Sequence, residues 1–189
     1  MRKLPPQYEN PIDNIIYKFV PKQSQLLDNF SPNFITSITV LFSSLGIYFF
    51  IKEKYEFAAL CYFISYFYDC VDGYHARRKK MESTFGDYYD HITDIGFNFA
   101  FIYLLYKKSK NLKNNKILYI GFIVYYILMY SHLSLQEVYY GKNMSPLLNI
   151  FGLSNKSKSK ICYLKYARYF GTGTYNLLFA IFILLSKYI

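Results

Sequence analysis

The sequence predicts an all-α protein, a polytopic membrane helical bundle of five to six transmembrane helices with an N-terminal interfacial amphipathic helix. Two observations predict it. Of the 189 residues, 53% are apolar and 22% are aromatic. A soluble chain of that size would have to leave large apolar patches in water. The apolar residues also gather into stretches near the ~20 residues a helix needs to cross a bilayer. Lys- and Asn-rich connections separate these stretches and bring the mean hydropathy close to zero.

Residues 1–10 are polar and contain Pro5-Pro6, which reads as a loose tail, with residues 11–189 as a single membrane domain. Ile12, Ile15, Ile16, Phe19 and Val20 then recur on one helical face. That face is too short to span and fits a helix lying in the interface. Ser31-Pro32 reads as an N-cap followed by proline in the first helical position. It opens a span over 33–51, and further spans are expected over 57–71, 86–106, 117–135 and 164–185. Residues 139–163 read as a long loop with a partly buried apolar patch at 147–153; either that patch is part of a poorly apolar sixth helix, or a final helix is missing.

A net charge of +10 would point to nucleic acid in a soluble protein. Here the lysines cluster between apolar spans, where anionic headgroups explain them and no nucleic acid is expected. Cys61, Cys70 and Cys162 form neither a disulfide framework nor a zinc spacing, and Cys70 reads as a small buried filler. The N-terminus lacks the pattern of a removable signal peptide. Arg77, Arg78, Lys79 and Lys80 favour a cytoplasmic loop after the second span. The five lysines between the third and fourth spans favour the same side, and both loops cannot be there.

The chemistry concentrates in residues 69–94, DCVDGYHARRKKMESTFGDYYDHITD. Asp69 and Asp72 are three apart, Asp90 and Asp94 four apart, so each pair lies on one helical face. A short hairpin between them lets the two faces meet. Four carboxylates at the edge of a bilayer must be paired or coordinated. Oxygen ligands of this kind suit one or two Mg²⁺ or Mn²⁺ ions. Gly73 and Ala76 are small enough for close approach of a ligand, and Arg77 offers a fork for phosphate oxygens. Gly86 leaves the start of the third span open to an anion.

This stretch resembles the signature of the CDP-alcohol phosphotransferases, D-x2-D-G-x2-A-R-x8-G-x3-D-x3-D. All eight specified positions are matched, by Asp69, Asp72, Gly73, Ala76, Arg77, Gly86, Asp90 and Asp94. The resemblance implies transfer of a substituted phosphate from a CDP-alcohol to an acceptor alcohol, with release of CMP. It implies a metal centre, binuclear and holding Mg²⁺ or Mn²⁺, on Asp69, Asp72, Asp90 and Asp94. Asp94 would also be the general base, and Gly73, Ala76, Arg77 and Gly86 would shape the CDP pocket. A homodimer is implied too. CTP-derived substrates favour a cytoplasmic active site, on an endoplasmic-reticulum-type membrane in a eukaryote.

The acceptor stays open. Asp90-His91 and Asp72-Gly73 with Ala76-Arg77-Arg78 resemble choline/ethanolamine phosphotransferases, which act on diacylglycerol. The short length and Tyr166-Ala167-Arg168 resemble phosphatidylinositol-type synthases, which use CDP-diacylglycerol and a polar alcohol. Either way one substrate is a lipid. Arg168 is a candidate for binding a polar headgroup or anchoring a helix end, and His91 for supporting Asp90. Two other classes remain: an inactive membrane scaffold of the same fold and a divalent-cation transporter. The transporter would need acids near mid-membrane in several spans.

Overall fold

The computed structural model describes residues 4–108, 112–140 and 161–188. Among them the regular elements are helices: α1 (Pro11–Ile16), α2 (Val20–Leu26), α3 (Pro32–Ile51), α4 (Tyr55–Lys79), α5 (Thr84–Lys108), α6 (Leu112–Tyr140), α7 (Ile161–Ala167) and α8 (Thr172–Leu185). Short 3-10 turns follow α7 and α8. The apolar patch at 147–153 and the lysine run after it lie outside the described residues. Among the described residues, two stretches are long and apolar enough to cross a membrane, Pro32–Ile51 and Tyr163–Tyr188. The other three expected spans fall on helices of 25, 25 and 29 residues. In α6 a shorter, mostly apolar stretch runs over Ile120–Gln136; α4 and α5 carry the motif acids.

Each boundary has a local cause. Ser31 caps α3 as its spelling foretells: the Phe34 N–H donates to Ser31 Oγ at 3.3 Å, and Pro32 takes the first helical position. The second helix outruns its apolar stretch and continues through the motif to Lys79. Lys80 then adopts a left-handed conformation, φ 57°, and Met81 N–H returns to the Ala76 carbonyl. Arg77, Arg78 and Lys79 occupy the last turn, where cations meet the negative end of the helix dipole. Residues 80–83 close the hairpin the motif calls for.

Three expectations are corrected. The amphipathic face from Ile12 to Val20 is not one helix. The chain turns at residues 17–19, and α2 restarts with Pro21 in its first turn. Proline supplies no N–H to continue α1 and is well placed to begin a helix. Ile16 and Val20 are buried, whereas Ile15 and Phe19 are exposed. Residues 4–10 are not loose, because Leu4, Glu9 and Asn10 are buried. The last span is interrupted at Arg168–Gly171. Cys61 is buried as a filler would be, but Cys70 is only half-buried, and neither forms a disulfide.

The chain divides into two compact units. One comprises residues 16–114 and 177–189 with Met1; the other comprises residues 2–15 and 115–176. In the first unit α3 and α4 form an antiparallel pair. Phe101 of α5 is fully buried and meets Phe50, Tyr62 and Phe179 edge-on, with ring centroids 6.2, 5.3 and 6.4 Å away. At the start of α4, Glu56 pairs with Lys187, which follows α8, at 3.0 Å.

In the second unit the polar residues before α1 hold the start of α8. Asn10 Nδ2 donates to the Arg168 carbonyl at 2.6 Å and to Thr174 Oγ1 at 2.8 Å. Asp13 Oδ2 accepts from Thr172 Oγ1 at 3.2 Å and from the Gly173 N–H at 3.3 Å. An N-terminal residue thus supplies the acidic cap that α8 lacks in its own sequence. His132, fully buried, lies 3.3 Å from both the Tyr8 carbonyl and Gln136 Nε2. These partners explain why residues 8–10 are ordered and why the last span breaks: the freed backbone groups are satisfied by side chains.

Candidate metal centre

The site is built on α4 and α5 with one face of α3. The ligand oxygens of Asp69, Asp72 and Asp90 all lie within 4.8 Å of one another. Asp94 joins them, in hydrogen-bond contact with Asp69. Asp72 is almost completely buried, and Thr36 Oγ1 donates to its Oδ2 at 2.8 Å. Thr36 was not legible as a site residue, because a threonine inside an apolar span gives no signal of its own. Asp90 Oδ1 is buried and accepts no hydrogen bond.

That last atom tests whether the donor set fits a cation. A buried carboxylate oxygen without a donor is costly in a fold that holds no ion. Three converging oxygens with a fourth carboxyl beside them match what Mg²⁺ or Mn²⁺ requires, with hard ligands and room for water or phosphate. The residues present therefore fit the metal the motif implies.

Around the carboxylates the remaining motif residues take definite places. The Arg77 guanidinium lies over Gly73, where an added Cβ would come within 3.2 Å of Nη1. Gly86 is the third residue of α5, and its N–H donates to Ser83 Oγ at 3.1 Å. A Cβ there would meet Asn33 Oδ1 and Ser83 Oγ at 3.0 Å each, so glycine lets the start of α3 and the start of α5 approach closely. Ser37 Oγ and Tyr89 Oη, 3.3 Å apart, extend that contact by a turn. Ala76 sits one turn before the end of α4.

The two supporting candidates fare differently. His91 Nδ1 donates to the Asp87 carbonyl at 2.8 Å and lies 3.9 Å from Asp90 Oδ2. It leans on Asp87, at the start of α5, more than on Asp90. Arg168 belongs to the other unit. Its Nη1 donates to the Gln7 carbonyl at 2.8 Å, and its guanidinium stacks on the Tyr169 ring with the carbon 4.9 Å from the centroid. Of the loop cations expected at lipid headgroups, Arg78 and Lys79 both pair with Asp28. Asp28 lies beside α2, and its carboxyl is held below the usual carboxylate range by hydrogen bonds from Lys79 and Arg78.

A hairpin of two long helices on which three carboxylates converge with a fourth beside them, next to a helix apolar and long enough to cross a membrane, makes an acidic cluster that could hold a cation. Residues 29–186 match the model of the CDP-alcohol phosphatidyltransferase family, and the chain belongs to that family. No curated protein and no solved structure matches it. The family is one of membrane-integral transferases that act through CDP-alcohols in phospholipid synthesis.

Proposed function

We propose that this protein transfers a substituted phosphate from a CDP-alcohol to an acceptor alcohol and releases CMP. One observation carries the proposal: the oxygens of Asp69, Asp72 and Asp90 converge within 4.8 Å while Asp90 Oδ1 has no partner. Asp69, Asp72 and Asp90 would hold the metal, and Asp94 would touch a second ion. When bound, the cation neutralises the diphosphate and stabilises charge on the leaving oxygen.

The chain's own groups do the rest. Arg77, lying over Gly73, presents its fork to the phosphate oxygens. The small residues Gly73 and Ala76 give the nucleotide room, and Gly86 lets the start of α5 close against α3 beside it. Asp94 takes the proton of the acceptor hydroxyl. The acceptor oxygen then bonds to the phosphorus on the alcohol side of the diphosphate. The bond from that phosphorus to the bridging oxygen breaks, and CMP departs with the electron pair. The commitments of Arg168 to Gln7 and Tyr169 favour an anchoring role over headgroup binding, so no residue is assigned to the acceptor.

Purified protein in detergent with Mn²⁺ is offered two donor sets. One is CDP-diacylglycerol with pooled inositol, serine, glycerol 3-phosphate and inositol phosphate. The other is CDP-choline and CDP-ethanolamine with diacylglycerol. Acceptor-dependent CMP from one set, lost with EDTA, is expected and decides which partner carries the lipid. No CMP from either set by a protein that binds Mn²⁺ would favour the scaffold reading.

A further inference from the structure

The face of α3 turned toward α4 is lined by small and hydroxylated residues at helical spacing: Thr36, Thr39, Ser43 and Gly46, all but the glycine carrying a hydroxyl and all buried. Three contacts fix how the two helices pass each other. Thr36 Oγ1 reaches Asp72 Oδ2 at 2.8 Å. Phe42 stacks on Tyr68, ring centroids 5.8 Å apart. A Cβ on Gly46 would lie 3.3 Å from the Ala58 carbonyl and 3.6 Å from Cys61 Cβ. The order reverses along α4, so the pair is antiparallel. One turn along α3 from Thr36 is Thr39. One turn back along α4 from Asp72 is Asp69. The register therefore sets Thr39 level with Asp69, as Thr36 is level with Asp72.

Thr39 has a second peculiarity. Hydroxyls on an apolar helix ordinarily return to the carbonyl one turn earlier. On α3 Thr36 does so to Pro32 at 3.3 Å, Ser37 to Asn33 at 3.0 Å and Ser44 to Val40 at 2.8 Å. Thr39 Oγ1 is buried and makes no hydrogen bond at all. A hydroxyl left without a partner in a packed helix pair is costly. The carboxyl groups of Asp69, Asp90 and Asp94 meanwhile contact one another. When these groups become cation ligands, the oxygen of Asp69 turned away from the ion needs a donor, as the outer oxygens of metal-ligating carboxylates generally do.

We propose that Thr39 is a positioning residue for the metal centre: its hydroxyl donates to Asp69 in the metal-bound protein, as Thr36 donates to Asp72. The proposal rests on the metal-site reading above. Thr36 and Thr39 then form a two-rung ladder by which α3 sets the orientation of both ligands on α4.

The test is Mn²⁺ binding by the full chain in detergent, followed by the electron paramagnetic resonance of free Mn²⁺, with thermal midpoints taken in EDTA. Thr39→Val is nearly isosteric and lacks the hydroxyl. It is expected to weaken Mn²⁺ binding about tenfold to a hundredfold, while its midpoint in EDTA equals or exceeds that of the unaltered protein. Thr39→Ser should restore binding to within a few-fold. A merely structural threonine would give the opposite pattern, a lower midpoint in EDTA with unchanged affinity, and that result overturns the proposal. Thr39→Ala provides the same comparison if the valine variant does not fold. Absence of Mn²⁺ binding by the unaltered protein would overturn the metal-site reading itself, and this inference with it.

Discussion

His75 Nε2 lies 3.1 Å from the carbonyl oxygen of Phe30, the residue that precedes the cap of α3. A carbonyl only accepts, so Nε2 turns a hydrogen toward Phe30, while Nδ1 lies 3.0 Å from Ser24 Oγ and 3.2 Å from the Ser24 carbonyl. Arg78 completes the arrangement by donating from Nε to Ser24 Oγ and from Nη2 to the Ser24 carbonyl, both at 3.1 Å. A fully buried histidine inside the motif thus pins the α2–α3 corner against the helix that bears Asp69 and Asp72.

His75→Ala is expected to leave the Phe30 carbonyl without its donor and a cavity beside it. Each unsatisfied buried group costs about 1–3 kcal/mol. The measurement is the thermal midpoint in detergent, which should fall clearly. An unchanged midpoint would show that the corner holds without the histidine.

The neighbouring ion pairs carry a pH signature. Lys79 and Arg78 hold the Asp28 carboxyl below its ordinary range, so the folded protein favours the charged form more than the unfolded chain does. That contribution is fully present above the unfolded value of about 4 and fades as pH falls through the lower folded value. The difference in midpoint between the unaltered protein and Asp28→Asn should be small at pH 7, since the groups are partly exposed and screened. It should shrink progressively as pH falls below the usual carboxylate range and through the lowered folded value. A gap of constant size across that range would assign Asp28 a non-ionic role.

The spacing of Asp69, Asp72, Asp90 and Asp94 was readable because helical periodicity converts sequence distance into a shared face, and a loop of residues 80–83 leaves the two helices no choice but to pair. Ser31-Pro32 was readable for the same local reason. Thr36, Thr39, His75 and Asp28 were not. Their partners lie 36 to 51 residues away for the bonds of Thr36, His75 and Asp28, and nothing in a single-sequence pattern reports which threonine faces an aspartate. The break before α8 was hidden likewise. Tyr163–Tyr188 is apolar enough to read as one helix, and the residues that stabilise its interruption, Asn10 and Asp13, stand at the other end of the chain.

That interruption makes its glycines testable. A Cβ on Gly171 would sit 2.8 Å from His132 Nδ1 and 2.9 Å from Asn10 Cβ, and one on Gly173 would meet both Asp13 and Asn10. Asn10 Cβ is fixed close to the backbone and cannot swing aside. Gly171→Ala should therefore destabilise by about 1–3 kcal/mol, as overpacking does. The double variant Gly171→Ala with His132→Ala should recover little, because the Asn10 contact persists. Full recovery would place the whole clash on the histidine ring.

Asp94→Asn bears most directly on the chemistry. The amide keeps the shape of the side chain and loses its capacity to take a proton. Asp69, Asp72 and Asp90 remain, with oxygens that still converge within 4.8 Å, so most of the metal's ligands survive. Binding of the CDP-alcohol, measured by displacement of a labelled nucleotide in the presence of Mn²⁺, should persist within a few-fold. Turnover should fall by roughly 10²–10⁴, the usual contribution of a general base. Loss of binding together with turnover would make Asp94 chiefly a ligand, since the variant would then have emptied the site. Turnover at the original rate would remove Asp94 from proton transfer and turn attention to Asp90, whose Oδ1 is buried with nothing donating to it.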